Sequence, residues 1–200
     1  TFALTALVGR LDVILLSMFS TLDEVGIYTG GQTLALVPQL FGTYLAIIFG
    51  PKVMPYVLAG GFRPFLKTVQ FSLAVACCVI LIAMFLGREW IAAHILPRSF
   101  AASMHVILIL LPAALASMST FPLVVTFLMF VKPKFLIAME CALLIPVVVL
   151  YLVFIPRYGA VGAASVTTGF ILLKSAIALW MTFVWAAQSP GELSIAADSG

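Results

Sequence analysis

In 200 residues the chain carries 64% hydrophobic and only 8% charged side chains, with a mean hydropathy of +1.25. A water-soluble domain holds roughly a quarter charged residues, so a surface wetted all round is excluded and a polytopic membrane protein is implied. The net charge of +3 comes from scattered basic residues rather than a patch, which argues against nucleic acid as a partner.

A membrane helix needs ~20 mainly apolar residues, and prolines, glycines and charges punctuate the runs. The chain opens directly in "TFALTALVGRLDVILLSMF". No charged leader region or small-residue cleavage site precedes this run, so a signal peptide is not expected and a fragment of a longer protein is. Six spans follow in order: 2–20, 25–50, 64–87, 102–130, 134–156 and 161–186. The fold class expected is therefore all-α, a single six-helix transmembrane bundle over 1–187. The tail 188–200, "SPGELSIAADSG" after Gln188, is polar and small, a composition that predicts disorder.

Cytoplasmic loops favour Lys and Arg. The connections after the second and fourth spans carry Lys52, Arg63, Lys67, Lys132 and Lys134 without an acid. The opposite side carries Arg88, Arg98 and Arg157 beside Asp23, Glu24 and Glu89. The bias predicts that both ends of the chain are cytoplasmic.

Polar groups inside the spans are the informative ones, because charges at membrane depth face a protein interior or a watery cavity. The first span holds Arg10 and Asp12, two residues apart and so on nearly opposite sides of a helix. Arg10 shares its side with Ala3, Ala6, Ser17 and Thr21. On the second span Tyr28, Gln32, Gln39 and Thr43 fall at i, i+4, i+11 and i+15, with Pro38 disturbing the phase. The fourth carries Pro112, Ser117, Ser119, Thr120 and Pro122 in mid-span, as suits a helix that bends beside a cavity. Glu140 lies about two turns into the fifth span.

The sixth opens with little bulk, in "YGAVGAASVTTGF". Between helices in lipid, small residues let backbones approach closely. Gly162, Ser165, Gly169 and Ala176 should therefore form a thin face packed on a neighbouring helix. Lys174 lies midway along this span, on the side of Ala163, Thr167 and Ala178.

Taken together, Arg10, Lys174, Gln32, Gln39, Tyr28 and Thr167 are candidates to line a cavity for an anionic, hydroxyl-rich ligand. Pairing of Arg10 or Lys174 with Asp12 or Glu140 is the alternative, since an ion pair meets the same cost. Interhelical hydrogen bonds would equally account for Gln32 and Gln39. Asp12 and Glu140 could serve ion coupling or structural pairing.

Other chemistry is missing from the pattern. No GxxxxGK[ST] is present for an ATPase core, and no nucleophile–base pair can be assembled. His94 and His105 lack companions at metal spacing. Cys77, Cys78 and Cys141 lie in apolar runs without CxxC spacing and read as small hydrophobes. No cofactor, metal or enzymatic activity is expected.

Several short motifs stand in a recognisable order: "D-x-x-L-L" from Asp12, "EVGIY" at Glu24–Tyr28, Pro51, "KPK" at Lys132–Lys134, and "IPRYGAVGAA" at Ile155–Ala164. In this order the chain, to about Ala187, resembles the C-terminal half of lipid-linked oligosaccharide flippases. These form the polysaccharide transporter family of the multidrug/oligosaccharidyl-lipid/polysaccharide exporter superfamily. The resemblance implies two six-helix bundles facing a central cavity, of which this would be the second and the N-terminal half the missing partner. The implied cargo is an oligosaccharide on a polyprenyl diphosphate, flipped outward across the inner membrane for polysaccharide, O-antigen or lipopolysaccharide biosynthesis. Polysaccharide polymerase and glycosyltransferases are the implied protein partners. Arg10 and Lys174 are nominated by position, not by a matched motif. Two rival readings remain: a multidrug/cation antiporter of the same superfamily, and a membrane assembly subunit that transports nothing. A membrane glycosyltransferase is disfavoured, since no loop offers acids or metal ligands.

Overall fold

The computed structural model describes residues 2–87, 89 and 103–186, with side chains in the first helix described from Arg10 onward. All regular structure among the described residues is helical. The tail 188–200, Arg88, Arg98, His94 and the start of the fourth span lie outside them.

Helix α1 covers Phe2–Phe19 and α2 covers Leu22–Leu58. Thr21 caps α2, its side chain accepting from the Glu24 amide at 3.4 Å, and Asp23 and Glu24 complement the first-turn dipole. α2 runs eight residues past the expected end of its span, through Pro51 and Pro55. Proline removes one bond of the ladder and kinks a helix without necessarily ending it. α3 covers Phe62–Leu86, and α4 covers Ser103–Thr120. A π-helical stretch, Phe121–Val125, joins α4 to α5, Thr126–Val131. The mid-span prolines and hydroxyls thus mark an irregular turn rather than a break. α6 covers Pro133–Trp185.

Among the described residues four helices are long and apolar enough to cross a membrane: Leu22–Leu58, Phe62–Leu86, Ser103–Met129 and Pro133–Trp185. The last has 53 residues, which would run about 80 Å if straight. It is interrupted at Gly159, with φ 54 and ψ −132. Contacts on either side of that residue mirror each other. Tyr151 bonds Thr167, Glu140 meets Lys174, and the Phe135 ring packs edge-on against Trp185 with centroids 5.0 Å apart. α6 is therefore a helical hairpin whose limbs, 133–158 and 160–185, run antiparallel.

α4 is the hub, with twelve of its residues buried. At one end Val106, Leu110 and Ala114 join Leu16, Tyr28, Val147, Ile155 and Ala164 in one apolar cluster. At the other, Leu123, Val124 and Phe127 pack with Val53, Val57, Phe62 and Leu66. α3 is peripheral and buries only Phe62, Leu66 and Cys77.

Backbones approach closely at one residue of the expected small face, Gly162, and at two glycines of α2. Ser165, Gly169 and Ala176 are exposed, and a side chain at Gly169 would meet nothing within 4 Å. Only Gly162 of that face is closed, against Phe154 of the facing limb. On α2, Gly31 and Gly42 press on α4, and a Cβ at Gly42 would lie 2.8 Å from the Met118 Cα. Backbone cannot move aside as a side chain can. Gly42→Leu should therefore cost about 1–3 kcal/mol of overpacking, read as a lowered melting temperature in detergent. Gly26→Leu, on the same helix with nothing within 4 Å, should melt like the parent.

Candidate functional site

Asp12 points into the bundle and is only 3% exposed. Its Oδ1 accepts from the Val13 amide at 2.8 Å. Its Oδ2 accepts from two side chains of α2, the Tyr28 hydroxyl at 2.5 Å and the Gln32 Nε2 at 2.9 Å. Tyr28 and Gln32 are four apart, so one helical face presents both donors to the same oxygen.

The network continues into the hairpin. The Tyr28 hydroxyl lies 3.0 Å from Thr167 Oγ1, which lies 2.9 Å from the Tyr151 hydroxyl and 2.9 Å from the Ala163 carbonyl. Because Tyr28 gives its only proton to Asp12, it can only accept from Thr167. Thr167 also has one proton, for which the Tyr28 oxygen and the Ala163 carbonyl compete, and Tyr151 can donate to Thr167. Three separate chain segments hold this cluster. Counted along each helix from the end where α1 turns into α2 and the hairpin reverses, it lies roughly 9–15 Å deep.

That end is closed by a second polar contact. Glu24 Oε2 accepts from the Ala160 amide at 2.6 Å, so a carboxylate from α2 caps the N-terminus of the returning limb. Gly159 makes the turn in a region that L residues rarely adopt, and a Cβ there would meet Glu24 Oε2 at 2.6 Å. Gly159→Ala should cost about 1–3 kcal/mol from backbone strain alone, with added loss from displacing the cap. A melting curve beside that of Glu24→Gln, which removes only the charge, separates the two contributions.

The expected candidates divide into three groups. Asp12, Tyr28, Gln32 and Thr167 come together, with Gln32 bonded through its side chain as the interhelical alternative required. Lys174 forms an ion pair with Glu140 across the hairpin, their side chains 29% and 14% exposed. Arg10 and Ser17 are exposed on the side of α1 away from Asp12, whereas Thr21, placed on that stripe by spacing, lies beyond α1 and caps α2. Gln39 is half-buried two turns beyond Gln32, and its carbonyl accepts from the Thr43 hydroxyl at 3.1 Å.

No protein-family model, curated protein or solved structure matches this chain. Its chemistry must therefore be read from the residues themselves. Two site residues escaped the sequence reading. Tyr151 is hidden in an apolar run, and Glu24 stands in the sequence as a loop charge and the first residue of the EVGIY motif, with no partner indicated. The turn at Arg157–Gly159 held the missing signal, because pivoting there sets Tyr151, eight residues before Gly159, opposite Thr167, eight residues after it. Among the described residues no group of three His, Cys, Asp or Glu side chains is placed to hold a metal ion.

Proposed function

We propose that this chain is one bundle of a transporter that flips polyprenyl-diphosphate-linked oligosaccharide across the inner membrane by rocking against a second bundle. In this reading the membrane is crossed six times, by α1, α2, α3, the α4–α5 rod and the two limbs of α6, with both ends cytoplasmic. The observation that carries the transporter reading is the Asp12 cluster. A carboxylate held within a bilayer costs about 2.5–3.5 kcal/mol on insertion scales, and a helix scaffold that only binds partner helices needs none. The cargo class rests on the motif resemblance and on Arg10, whose exposed guanidinium would face the second bundle and attract a diphosphate. A cation antiporter is less well supported, because its carboxylate should be open to the cargo and Asp12 is enclosed by Tyr28 and Gln32.

The test uses the two-bundle transporter in proteoliposomes with a fluorescent lipid-linked oligosaccharide, quenched from outside to score transfer between leaflets. Arg10→Gln should slow transfer by about tenfold, equivalent to ~1.4 kcal/mol, at unchanged protein level. Arg10→Lys should keep most of the rate, since charge rather than bidentate geometry carries the attraction. Transport of an organic cation that depends on Asp12, without lipid transfer, would assign the chain to the antiporters instead.

A further inference from the structure

The buried apolar side chains fall into two main sets, one toward each end of the bundle. On α2 the first set ends at Ala35 and the second begins at Val53. Along α4 and its continuation the first ends at Ala114 and the second begins at Leu123, while Leu115 and Met118 between them pack on Cys77 of α3. On α6 the first set reaches from Val147 through the turn to Val166, and Ala178 belongs to the second. Helix breakers gather at the level between the sets. α2 crosses it with Pro38, Gly42, Gly50 and Pro51, and α4 gives way there to the π-helical stretch with Pro122. Pro146 and Gly169 stand at that level on the two limbs of α6. Prolines, glycines and π-helical turns are where helices bend. α2 and α4 also touch here backbone to backbone, since a Cβ on Gly42 would meet the Met118 carbonyl oxygen at 3.2 Å. The amide that would bond that carbonyl in a regular helix is missing, because the residue four positions on is Pro122.

We propose that the bundle bends at this level, pivoting where Gly42 meets Met118, so that α2 beyond Pro51, α3 and α5 move as one body against the half that holds Asp12. α3 decides what belongs to the moving part. Its start is locked into the second set by Leu66 and by Phe62, which stacks on Phe127 with ring centroids 4.7 Å apart. From Phe65 to Leu86 it carries neither proline nor glycine, so it swings as a rod. Its hold on the other half is slight: the Cys77 thiol donates to the Leu115 carbonyl at 3.4 Å, with Leu81 and Met84 alongside. Bending therefore parts α3 from α4 at Cys77 and leaves the Asp12 cluster intact, because Tyr28, Gln32, Tyr151 and Thr167 all stand on the far side of the pivot. A change of about 20°, the size of a proline kink, swings Leu58, ~24 Å from Gly42 along the helix, by ~8 Å. One end of the bundle can thus widen without rotation of the whole. The inference depends on neither the cargo nor a second bundle.

Methionine methyl groups report the motion in the purified full chain in micelles. Met118 sits at the pivot and Met84 on the contact that parts, whereas Met104 is buried near the start of α4, in the half that stays together. Relaxation dispersion on methyl-labelled methionine should show exchange on the μs–ms scale of hinge motions at Met118 and Met84, and none at Met104. Pro122→Ala returns an amide to the Met118 carbonyl and should cut the bent population about fivefold. Alkylation of buried Cys77 by a membrane-permeant maleimide should slow by the same factor, measured against Cys78, its exposed neighbour at the same depth. Pro112→Ala, the same change on the same helix but away from the pivot, should leave both readings as in the parent. Flat profiles at Met118 and Met84 in the parent protein would overturn the proposal without recourse to any variant. Equal exchange at all three methyls would overturn it too, since that marks general looseness. So would Pro112→Ala slowing Cys77 as much as Pro122→Ala, because loss of any proline would then suffice.

Discussion

Asp12→Ala should lower both the folded amount and the transport rate, whereas Asp12→Asn should restore the first and not the second. Alanine removes the oxygen that takes protons from Tyr28 and Gln32. Tyr28 keeps Thr167 as a neighbour, but the Gln32 donor is left facing a cavity. Leaving buried donors unmet costs about 1–3 kcal/mol, enough to reduce the yield of folded protein several-fold in a marginally stable bundle. Asparagine returns a carbonyl oxygen to the same place, so both donors regain an acceptor and abundance recovers. What it cannot return is the negative charge. Transport that stays low in Asp12→Asn at normal abundance means that the charge, or a change in it, is part of the cycle. Transport that recovers with abundance would reduce the cluster to an interhelical staple and remove the main support for the transporter reading. Tyr28→Phe is the companion measurement. It severs the link between the carboxylate and the hairpin hydroxyls while leaving Gln32 in place, so it should slow transport less than Asp12→Asn if the charge dominates.

The helices were legible in the sequence because long apolar runs between prolines, glycines and charges leave few alternatives in a membrane. α1 and α3 begin and end within two residues of the expected spans. α2 is the exception, since its prolines were given the weight of stops when a kinked helix absorbs them. The opposite facing of Arg10 and Asp12 was readable from spacing alone, because it depends on one helix. The identity of each partner was not, because it depends on how helices are rotated against one another. Composition could suggest that Asp12 needed donors, yet it could not choose Tyr28 over a hydroxyl of α4. Small residues misled in part for the same reason, since only Gly162 of the expected face is closed against a neighbouring limb. Gly162, Ser165, Gly169 and Ala176 form a plausible contact face in isolation. The close helix pair instead uses Gly31 and Gly42, whose spacing is equally regular. The two limbs were legible as separate spans and Glu140–Lys174 as one of the pairings left open; what went unread is that a turn at Gly159 imposes mirror pairing on the limbs and so also predicts Tyr151–Thr167.

The Glu140–Lys174 pair leads to the expectation with the largest energy. Lys174→Ala leaves Glu140, with a side chain only 14% exposed, without a counter-charge inside a helical hairpin. Removing one partner of a fully buried pair costs about 3–5 kcal/mol; this pair is partly buried, so the cost should fall toward the lower end of that range, still a large share of the stability of a small domain. The reverse change, Glu140→Ala, should be milder, because Lys174 has a flexible stem, is 29% exposed, and can carry its ammonium toward water. The two single variants should therefore be unequal, and the double variant should be more stable than Lys174→Ala. Detergent melting and membrane abundance measure this directly, and single variants that melt like the double would show that the pair contributes nothing. Transport in the double variant then separates the two roles open to Lys174. If abundance and lipid transfer both return, the pair is a structural clip between the limbs, and attraction of an anionic headgroup falls to Arg10 alone. If abundance returns and transfer does not, the cargo senses the lysine itself, which requires the pair to open during the cycle. Lys174→Arg then becomes informative, because it keeps the charge and strengthens the grip on Glu140 through a planar, two-pronged contact. A pair that must open should be slowed by that tighter grip, whereas a permanent clip should be indifferent to it.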